Sequence, residues 1–290
     1  MIRGKELEEQ TYQPNHIEKV LADIEDNFPR YFAGFVEKQP RLLFDTAFRS
    51  YFSEQDRYRD YLDLEALQEY ENDPGAFKAH SKGKCPIIRR CLQSRDEAMK
   101  SYRRAFNSTS GRDMLNPVRK LSEFGKAYAA NFNDDSHESA ETYTSLGLDV
   151  LNQGEYGCVG VIGYGIQSSM LYGLYPREFA HRSQMAIWSL YFLSGRKDFG
   201  LRDASEFLMV HPDEGTCEQN YFYPADLFGF YALKLSLMLK DAMSSVGVRF
   251  EPSRRYIYLS AFCDHVGEVH RNDIQTFKRN SQDVEGQPWF

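Results

Sequence analysis

The sequence predicts a mainly α-helical protein, and three observations lead to that prediction. Apolar residues recur at three- and four-residue intervals along much of the chain, which is the spacing of one helix face. Between residues 15 and 27 these positions are Ile17, Val20, Leu21 and Ile24. Strand-like alternation is confined to a small β pair near the C-terminus, at 248–250 and 256–262. A chain of 290 residues can also bury a substantial core.

The remaining helices follow from the same periodicity, with proline, glycine and asparagine marking the breaks between them. They are predicted over residues 42–52, 60–70, 96–106, 118–132, 139–153, 166–175, 184–194 and 225–244. The segment 184–194 (QMAIWSLYFLS) is apolar on nearly every side, which predicts that Trp188 and its neighbours are buried. We expect two helical lobes, residues 1–135 and 136–290, separated near the acidic linker 133–137.

Composition limits the setting in which the protein acts. No apolar run approaches the roughly 20 residues that a membrane-spanning helix needs, and the charged start MIRGKELEEQ lacks the apolar centre of a signal peptide. We therefore expect a cytoplasmic, monomeric protein without a membrane partner. Five cysteines without a CxxC pair indicate neither a disulfide framework nor a zinc site. We expect no metal and no cofactor, although Cys263, His265 and His270 lie close together in the sequence.

The charge of the chain is unevenly distributed. The net charge of −7 argues by itself against a nucleic-acid partner. Residues 78–126, however, contain 13 basic and four acidic residues, a local charge of +9, which leaves −16 on the rest of the chain. This basic segment is either a solvated surface that balances acidic neighbours or a surface that faces a polyanion.

The segment 161–169 (VIGYGIQSS) carries the main functional signal. Gly163 and Gly165 flank Tyr164, and Ser168 and Ser169 follow the second glycine. Glycine leaves the backbone N–H groups uncovered. When such a turn opens a helix, these N–H groups and the positive end of the helix dipole form a site for an anion, usually a phosphate.

One interpretation of this turn is a dinucleotide-binding loop, because VGVIGYG resembles the first strand-to-helix turn of Rossmann domains. Ser168 occupies the third glycine position of that pattern, and no acidic residue ends a second strand about 20 residues later. The chain also lacks the alternating strands and helices that surround the motif in those domains.

The second interpretation is a helix-hairpin-helix. The segment resembles the hairpin of the helix-hairpin-helix DNA glycosylase superfamily, which reads leucine-proline-glycine-apolar-glycine, two variable residues, then threonine or serine and a small residue. Ile162 replaces the proline, and Gly163, Tyr164, Gly165, Ser168 and Ser169 fall in register. The resemblance extends over about residues 139–195, with predicted helices at 139–153 and 166–175 as the two arms. It implies that the hairpin N–H groups hold a DNA phosphate without reading the base.

Two positions depart from that family's pattern. Gln167 stands where the lyase members carry a lysine, so the resemblance implies a monofunctional enzyme that forms no Schiff base. The family's aspartate is expected near residues 181–183, where this chain reads His181, Arg182 and Ser183.

Other residues are therefore candidates for the chemistry. Breaking an N-glycosidic bond builds positive charge on the sugar, which a carboxylate stabilises, and the base must first leave the stack and enter a pocket. In the segment 220–226, Asn220, Tyr221 and Tyr223 are candidates for the base pocket and Asp226 for the carboxylate. The alternative for Asp226 is a carboxylate that only favours a helix dipole. His181 is a second catalytic candidate, and Arg182 is a candidate phosphate ligand.

Taken together, these residues predict a DNA glycosylase-like enzyme that flips and excises a modified or damaged base from double-stranded DNA, in repair or in defence against phage DNA. Two alternatives stay open. One is a DNA-binding helix-hairpin-helix protein without catalysis, and the other is a dinucleotide-binding enzyme.

Overall fold

The structure is a computed structural model that describes residues 9–96, 99–197, 199, 206–211 and 216–282. It confirms the prediction of a mainly α-helical protein. In chain order the helices are α1 (Pro14–Glu37), α2 (Pro40–Tyr61), α3 (Leu64–Glu69), α4 (Pro74–Lys84), α5 (Pro86–Gln93), α6 (Met99–Ser108), α7 (Gly111–Ala130), α8 (Asp134–Glu138), α9 (Tyr164–Leu174), α10 (Gln184–Leu193), α11 (Ala225–Ser245), α12 (Arg255–Val269) and α13 (Arg271–Gln282).

The sequence starts many of these helices in two ways. Proline occupies the first helical position of α1, α2, α4 and α5, where its missing N–H leaves no hydrogen bond unmade. Short polar side chains cap several other helices: Ser110 accepts from the Asp113 N–H at the start of α7, and Ser183 accepts from the Ala186 N–H at the start of α10.

The core is a continuous set of buried side chains that draws on helices from both halves of the chain. Helix α10 packs on α12, and α1 lies against α10, α11 and α12. Trp188 is 1% exposed, as predicted, and Phe35 of α1 contacts Phe262 of α12 with ring centroids 5.5 Å apart. Contacts between α1 and the C-terminal helices therefore cross the predicted lobe boundary at 135/136, and the division into two lobes stays a prediction.

The predicted β pair at 248–250 and 256–262 is wrong. Residues 256–262 belong to α12, and the described strands are β1 (Leu208–His211) and β2 (Thr216–Gln219), which pair antiparallel with Leu208 opposite Gln219. The physical reason is burial on every side of α12, where all residues from 255 to 259 are buried. A helix surrounded by core shows no 3.6-residue period, so its tyrosines and isoleucine resemble a strand.

The predicted helix over 139–153 is also wrong. This stretch instead contains 3₁₀ turns at Tyr143–Leu146, Asp149–Asn152 and Gly154–Tyr156. Gly147 ends the first of them in the left-handed region at φ 61°, which interrupts any continuous α-helix. The segment before the glycine turn therefore folds as a series of tight turns, and the first arm of the expected helix-hairpin-helix is not an α-helix.

Candidate functional site

The glycine turn is a tight hairpin that leads directly into α9. Cys158 and Ile162 form an antiparallel bridge, and between them Gly160 has φ 73°. Val159 at the tip is 97% exposed. Gly163 is the exposed N-cap of α9 and contributes no side-chain cap, so the first-turn N–H groups of the helix rely on other acceptors.

The hairpin tip packs against the junction of α6 and α7. A Cβ added at Gly160 would lie 2.8 Å from Cβ of Ala105, so the tip approaches α6 as closely as glycine permits. Cys158 hydrogen-bonds with Thr109, which follows α6. Two arginines neighbour these contacts in the sequence, Arg104 and Arg112, and both side chains are exposed.

The two serines of the motif are used within the protein. Ser168 Oγ donates to the Gly165 carbonyl at 3.0 Å and accepts from the Arg182 N–H at 3.0 Å. Ser169 Oγ donates to the same carbonyl at 2.8 Å. These hydroxyls, predicted as DNA ligands, therefore hold α9 against the loop that follows it.

The structure brings Arg182 to the glycine turn. A Cβ added at Gly165 would lie 3.9 Å from Arg182 Nη1, and the guanidinium carbon is 5.9 Å from the centre of the Tyr164 ring. Arg182 Nη2 donates to the Asn220 carbonyl at 2.7 Å. Arg182 is only 5% exposed, so its guanidinium faces the protein interior rather than the surface expected of a phosphate ligand.

Asp226 is a buried carboxylate beside the same turn. It is 2% exposed, and its Oδ1 accepts from Tyr12 Oη at 3.0 Å and from Asn152 Nδ2 at 2.8 Å. Asn152 also accepts from Tyr164 Oη, at 3.4 Å on its backbone carbonyl. Asn152 therefore connects the carboxylate with the first residue of α9. Burial, followed by the charge of Asp226, raises the pKa of the Tyr12 phenol far above its usual value of 10.

The two oxygens of Asp226 differ. Both hydrogen bonds end on Oδ1, and within the described residues Oδ2 accepts none. One oxygen is thus fixed by the protein while the other keeps its acceptor capacity.

Three tyrosines are linked to this carboxylate: Tyr12 directly, Tyr143 through the Tyr12 ring, and Tyr164 through Asn152. Tyr12, Tyr143 and Tyr164 are each half-buried, and the rings of Tyr12 and Tyr143 lie 5.1 Å apart at an angle of 58°. They come from the segment before α1, the first 3₁₀ turn and α9. No local pattern in the sequence relates Tyr12, Tyr143 and Asn152 to Asp226, because these residues are distant along the chain.

The predicted base pocket has a different geometry from the expected one. Tyr221 is 42% exposed, whereas Tyr223 is 1% exposed and packs against Phe207 with ring centroids 5.2 Å apart. A base cannot lie between these two rings, because the face of Tyr223 is filled by the core. The Asn220 Oδ1 accepts from the Phe222 N–H and its Nδ2 donates to the Glu206 carbonyl, so this amide holds its own turn.

The structure does not bring His181 together with Asp226. The His181 ring stacks on Tyr172 with centroids 4.9 Å apart, and its Nε2 contacts Ser169 Oγ at 3.0 Å. It faces an interior cavity lined by apolar residues such as Leu190 and Leu259. Burial, helped by Arg90, lowers the pKa of His181 to about 4. The second catalytic candidate is therefore half-buried and a neutral imidazole at pH 7.

A second buried carboxylate lies near the start of α1. Glu206 is 1% exposed and its Oε2 lies 2.5 Å from His16 Nε2, while Oε1 accepts from the Tyr223 hydroxyl. His16 is itself 8% exposed. Sequence reasoning found neither residue, since 190 positions separate them.

Part of the basic segment 78–126 is neutralised within the protein. Arg90 pairs with Glu54 at 2.6 Å, Arg119 pairs with Glu71, and Lys120 pairs with Glu155. Another group of side chains is exposed and has no hydrogen-bond or ion-pair partner within the described residues. Its members are Lys82, Lys84, Arg89, Arg95, Arg104, Arg112 and Lys126. The segment therefore presents unpaired positive charge to solvent.

Within the described residues, no group of three or more histidine, cysteine, aspartate or glutamate side chains has the arrangement of a metal site. His270 contacts Tyr31 Oη at 2.8 Å and Asp273 Oδ2 at 3.0 Å, while Cys263 is buried beside Ser189. None of the described helices combines the length and the apolar character needed to span a membrane.

Comparison with known proteins finds no matching family model, no matching curated protein and no matching solved structure.

Proposed function

We propose that this protein is a monofunctional DNA N-glycosylase that excises a modified or damaged base from double-stranded DNA, with Asp226 as its catalytic carboxylate. The observation that carries the proposal is the position of Asp226. Asn152 hydrogen-bonds both to Asp226 and to Tyr164, the first residue of the helix that follows the glycine turn. The resemblance to the helix-hairpin-helix family left the catalytic carboxylate missing near 181–183, and Asp226 supplies one from another part of the chain.

Cleavage of the N-glycosidic bond mainly requires that the protein hold a negative charge at a fixed position next to the sugar. As the bond from C1′ to the base nitrogen breaks, the base takes the bonding electrons and the sugar becomes an oxocarbenium ion. A carboxylate oxygen next to C1′ stabilises that charge, accepts a proton from the attacking water and directs its oxygen to C1′. Asp226 Oδ2 retains acceptor capacity for this role, while Oδ1 is held by Tyr12 and Asn152.

Gln167 supports hydrolysis without a lyase step. It stands at the family's lysine position, is 3% exposed, and its Nε2 donates to the Tyr156 carbonyl at 3.0 Å. An amide cannot form a Schiff base with the sugar, so the abasic strand stays intact until it is treated with alkali.

The flipped base has a revised pocket in this proposal. The half-buried rings of Tyr12, which contacts Asp226, and of Tyr143 and Tyr164 replace the expected pair Tyr221 and Tyr223. Aromatic rings suit a flipped base because every base offers a π face for stacking.

Duplex DNA would contact the hairpin and the exposed basic side chains beside it. The first turn of α9 offers N–H groups at the exposed Gly163, and Arg104 and Arg112 neighbour the residues that the hairpin contacts. Such contacts bind the DNA backbone and position the duplex without reading its sequence. We further propose that the protein acts as a cytoplasmic monomer. The four cysteines whose state is described are free thiols, which is in keeping with that compartment.

The second candidate is a DNA-binding protein without catalysis, and the low exposure of Asp226 favours it. The dinucleotide alternative has no such support. It requires a βαβ unit around the glycine turn, whereas the described strands form one antiparallel pair at 208–219.

The test is base excision on duplexes that each carry one modified base, followed by alkali to cut abasic sites. We expect cleavage of at least one duplex by the wild type. Salt-sensitive DNA binding without cleavage of any duplex would favour the non-catalytic candidate. Failure to bind DNA at about 50 mM salt, where electrostatic binding is strong, would contradict both.

A further inference from the structure

Arg182 is a buried cation whose charge the described chain does not neutralise. The residue is 5% exposed, and its Nε has no hydrogen-bond partner within the described residues. Its one described side-chain hydrogen bond ends on the backbone carbonyl of Asn220 at 2.7 Å. No described carboxylate lies within 4 Å, and the groups that favour its charge are the phenols of Tyr164 and Tyr223.

A second buried arginine in the same chain has its charge compensated by carboxylates. Arg255 is 0% exposed, and its Nη2 contacts Asp134 at 3.1 Å and Glu138 at 2.5 Å. A buried charge is costly unless a counter-charge accompanies it. Two carboxylates contact Arg255, whereas the groups beside Arg182 are a backbone carbonyl and two neutral phenol rings. Burial accordingly lowers the pKa of Arg182 to about 10.

A small cavity adjoins the Arg182 side chain. It has a volume of about 30 Å³, more than a single water requires. Four of its lining residues are polar, Tyr164, Gln167, Ser168 and Arg182, and three of these belong to α9; the other lining residues are apolar, so Arg182 is the cavity's one charged group. The Gln167 Oε1 is buried and has no partner within the described residues, and as an acceptor it needs a donor, which a water or a protonated oxygen of the bound group can supply. The positive end of the α9 dipole adds to the potential at this place.

We propose that this cavity binds one anionic oxygen group, a carboxylate or a phosphate, against Arg182 and the first turn of α9. A water molecule would satisfy the free N–H of Arg182 but would leave its charge unbalanced, whereas an anion satisfies both. The group is either a free anion or part of a DNA substrate, as an anionic substituent on a base that has left the stack. The site stands on Arg182 and its surroundings, and it does not depend on base excision.

The experiment measures thermal unfolding of the full chain in sodium phosphate, in sodium acetate and in sodium chloride of equal ionic strength. Arg182→Met removes the charge and keeps the side-chain length, Arg182→Lys keeps the charge, and Arg57→Met is the matched change at an exposed arginine. For the wild type and Arg57→Met we expect the melting temperature to rise by about 2 °C or more in phosphate or acetate. Arg182→Met should lose this rise, and Arg182→Lys should keep part of it. Without the anion, Arg182→Met should melt no lower than the wild type, since it removes an uncompensated buried charge.

A competition measurement identifies the source of the anion. If the group is part of DNA, phosphate weakens duplex binding by the wild type about tenfold more than by Arg182→Met. If phosphate weakens duplex binding equally for the wild type and for Arg182→Met, the site binds a free anion. The proposal would be overturned if the melting temperature rose equally for wild type and Arg182→Met. It would also be overturned if no anion raised the melting temperature and Arg182→Met had no effect on duplex binding. Anion binding that persists in a protein that cleaves no duplex contradicts only the proposed glycosylase.

Discussion

At the scale of single residues, the important asymmetry is between the two oxygens of Asp226. Oδ1 accepts from Tyr12 and Asn152 and therefore fixes the orientation of the carboxylate. Oδ2 has no acceptor role within the described residues. A carboxylate that only favoured a helix dipole would not need a tyrosine and an asparagine from distant segments to orient it. Such orientation is what electrostatic catalysis requires, because the charge is then in place before the reaction begins.

Asp226→Asn separates the charge of this side chain from its shape. The amide oxygen can still accept from Tyr12 and Asn152, so we expect a stability loss of about 1 kcal/mol or less. Excision in single-turnover experiments should fall by about 100-fold or more, the usual cost of losing a preorganised charge. Asp149→Asn, an exposed aspartate in the same 3₁₀ turn as Asn152, is the control. Full activity of Asp226→Asn would refute the catalytic assignment.

His181→Gln tests a histidine whose role we expect to be structural. The folded-state pKa of His181 is about 4, below the ordinary value of 6.5, because burial disfavours the imidazolium. Between pH 6.5 and 4 the unfolded chain takes up a proton that the folded chain does not. Stability conferred by the neutral ring is therefore complete above pH 6.5 and is lost as the pH falls through this window.

In urea melts at a series of pH values, His181→Gln should flatten the decline in unfolding free energy below pH 6.5 by up to about 1.4 kcal/mol per pH unit. The slope above pH 7 should not change, which serves as an internal control. The turnover rate of the folded variant should match the wild type. A large loss of turnover at unchanged stability would restore His181 as a catalytic residue.

At the scale of helices and turns, the spacing and run length of apolar residues predicted α1 and α10 but failed at 139–153 and 256–262. The spacing of Ile17, Val20 and Ile24 predicted α1 correctly, and these three side chains are buried. The apolar run around Trp188 predicted α10 with nearly its true ends. Residues 256–262 were assigned to a strand because α12 is surrounded by core, and 139–153 to a helix because isolated apolar residues imitate its period.

Part of the candidate site could also be predicted from local sequence patterns. Gly163, Tyr164, Arg182 and Asp226 were found from local motifs, and the structure places all four around one helix start. The residues that orient Asp226 come from segments that no local pattern connects, since Tyr12 precedes it by 214 positions. Contacts of that kind depend on how helices pack, which a motif does not encode.

Gly160→Ala tests the hairpin as a structural element. Gly160 has φ 73°, and an added Cβ would meet the Ala105 side chain at 2.8 Å. The left-handed conformation alone costs a residue with a side chain about 1–2 kcal/mol, and the overlap adds to that loss. We expect chemical denaturation to show this destabilisation, together with weaker duplex binding at temperatures where the variant is folded.

Gly154→Ala is the matched control for this change. A Cβ at Gly154 would meet no heavy atom within 4 Å, and its φ lies outside the left-handed region, so its stability should change by no more than about 0.5 kcal/mol. Equal behaviour of the two variants would mean that the hairpin is not held as the structure shows.

At the scale of the whole molecule, charge is segregated along a chain that is acidic overall. The basic segment 78–126 begins within α4 and ends within α7. The helices α4 to α7 pack on one another and on α9, the helix that follows the glycine turn. Internal ion pairs neutralise some of its cations, while others have no partner within the described residues. In the proposed complex with DNA, the acidic remainder repels the polyanion, and the exposed Arg104 and Arg112 near the hairpin contacts attract it.

That orientation predicts which arginines set the salt dependence of DNA binding. Each phosphate contact contributes about 0.9 to the slope of log affinity against log salt concentration, because it releases condensed counterions. Arg104→Gln combined with Arg112→Gln should therefore reduce the slope by up to about 1.8 and weaken binding equally for different duplex sequences. Arg57→Gln combined with Arg249→Gln removes the same charge from two exposed sites elsewhere and should leave the slope nearly unchanged. Because both double variants lower the net charge by two, a general charge effect would change both slopes alike and would contradict a DNA surface beside the hairpin.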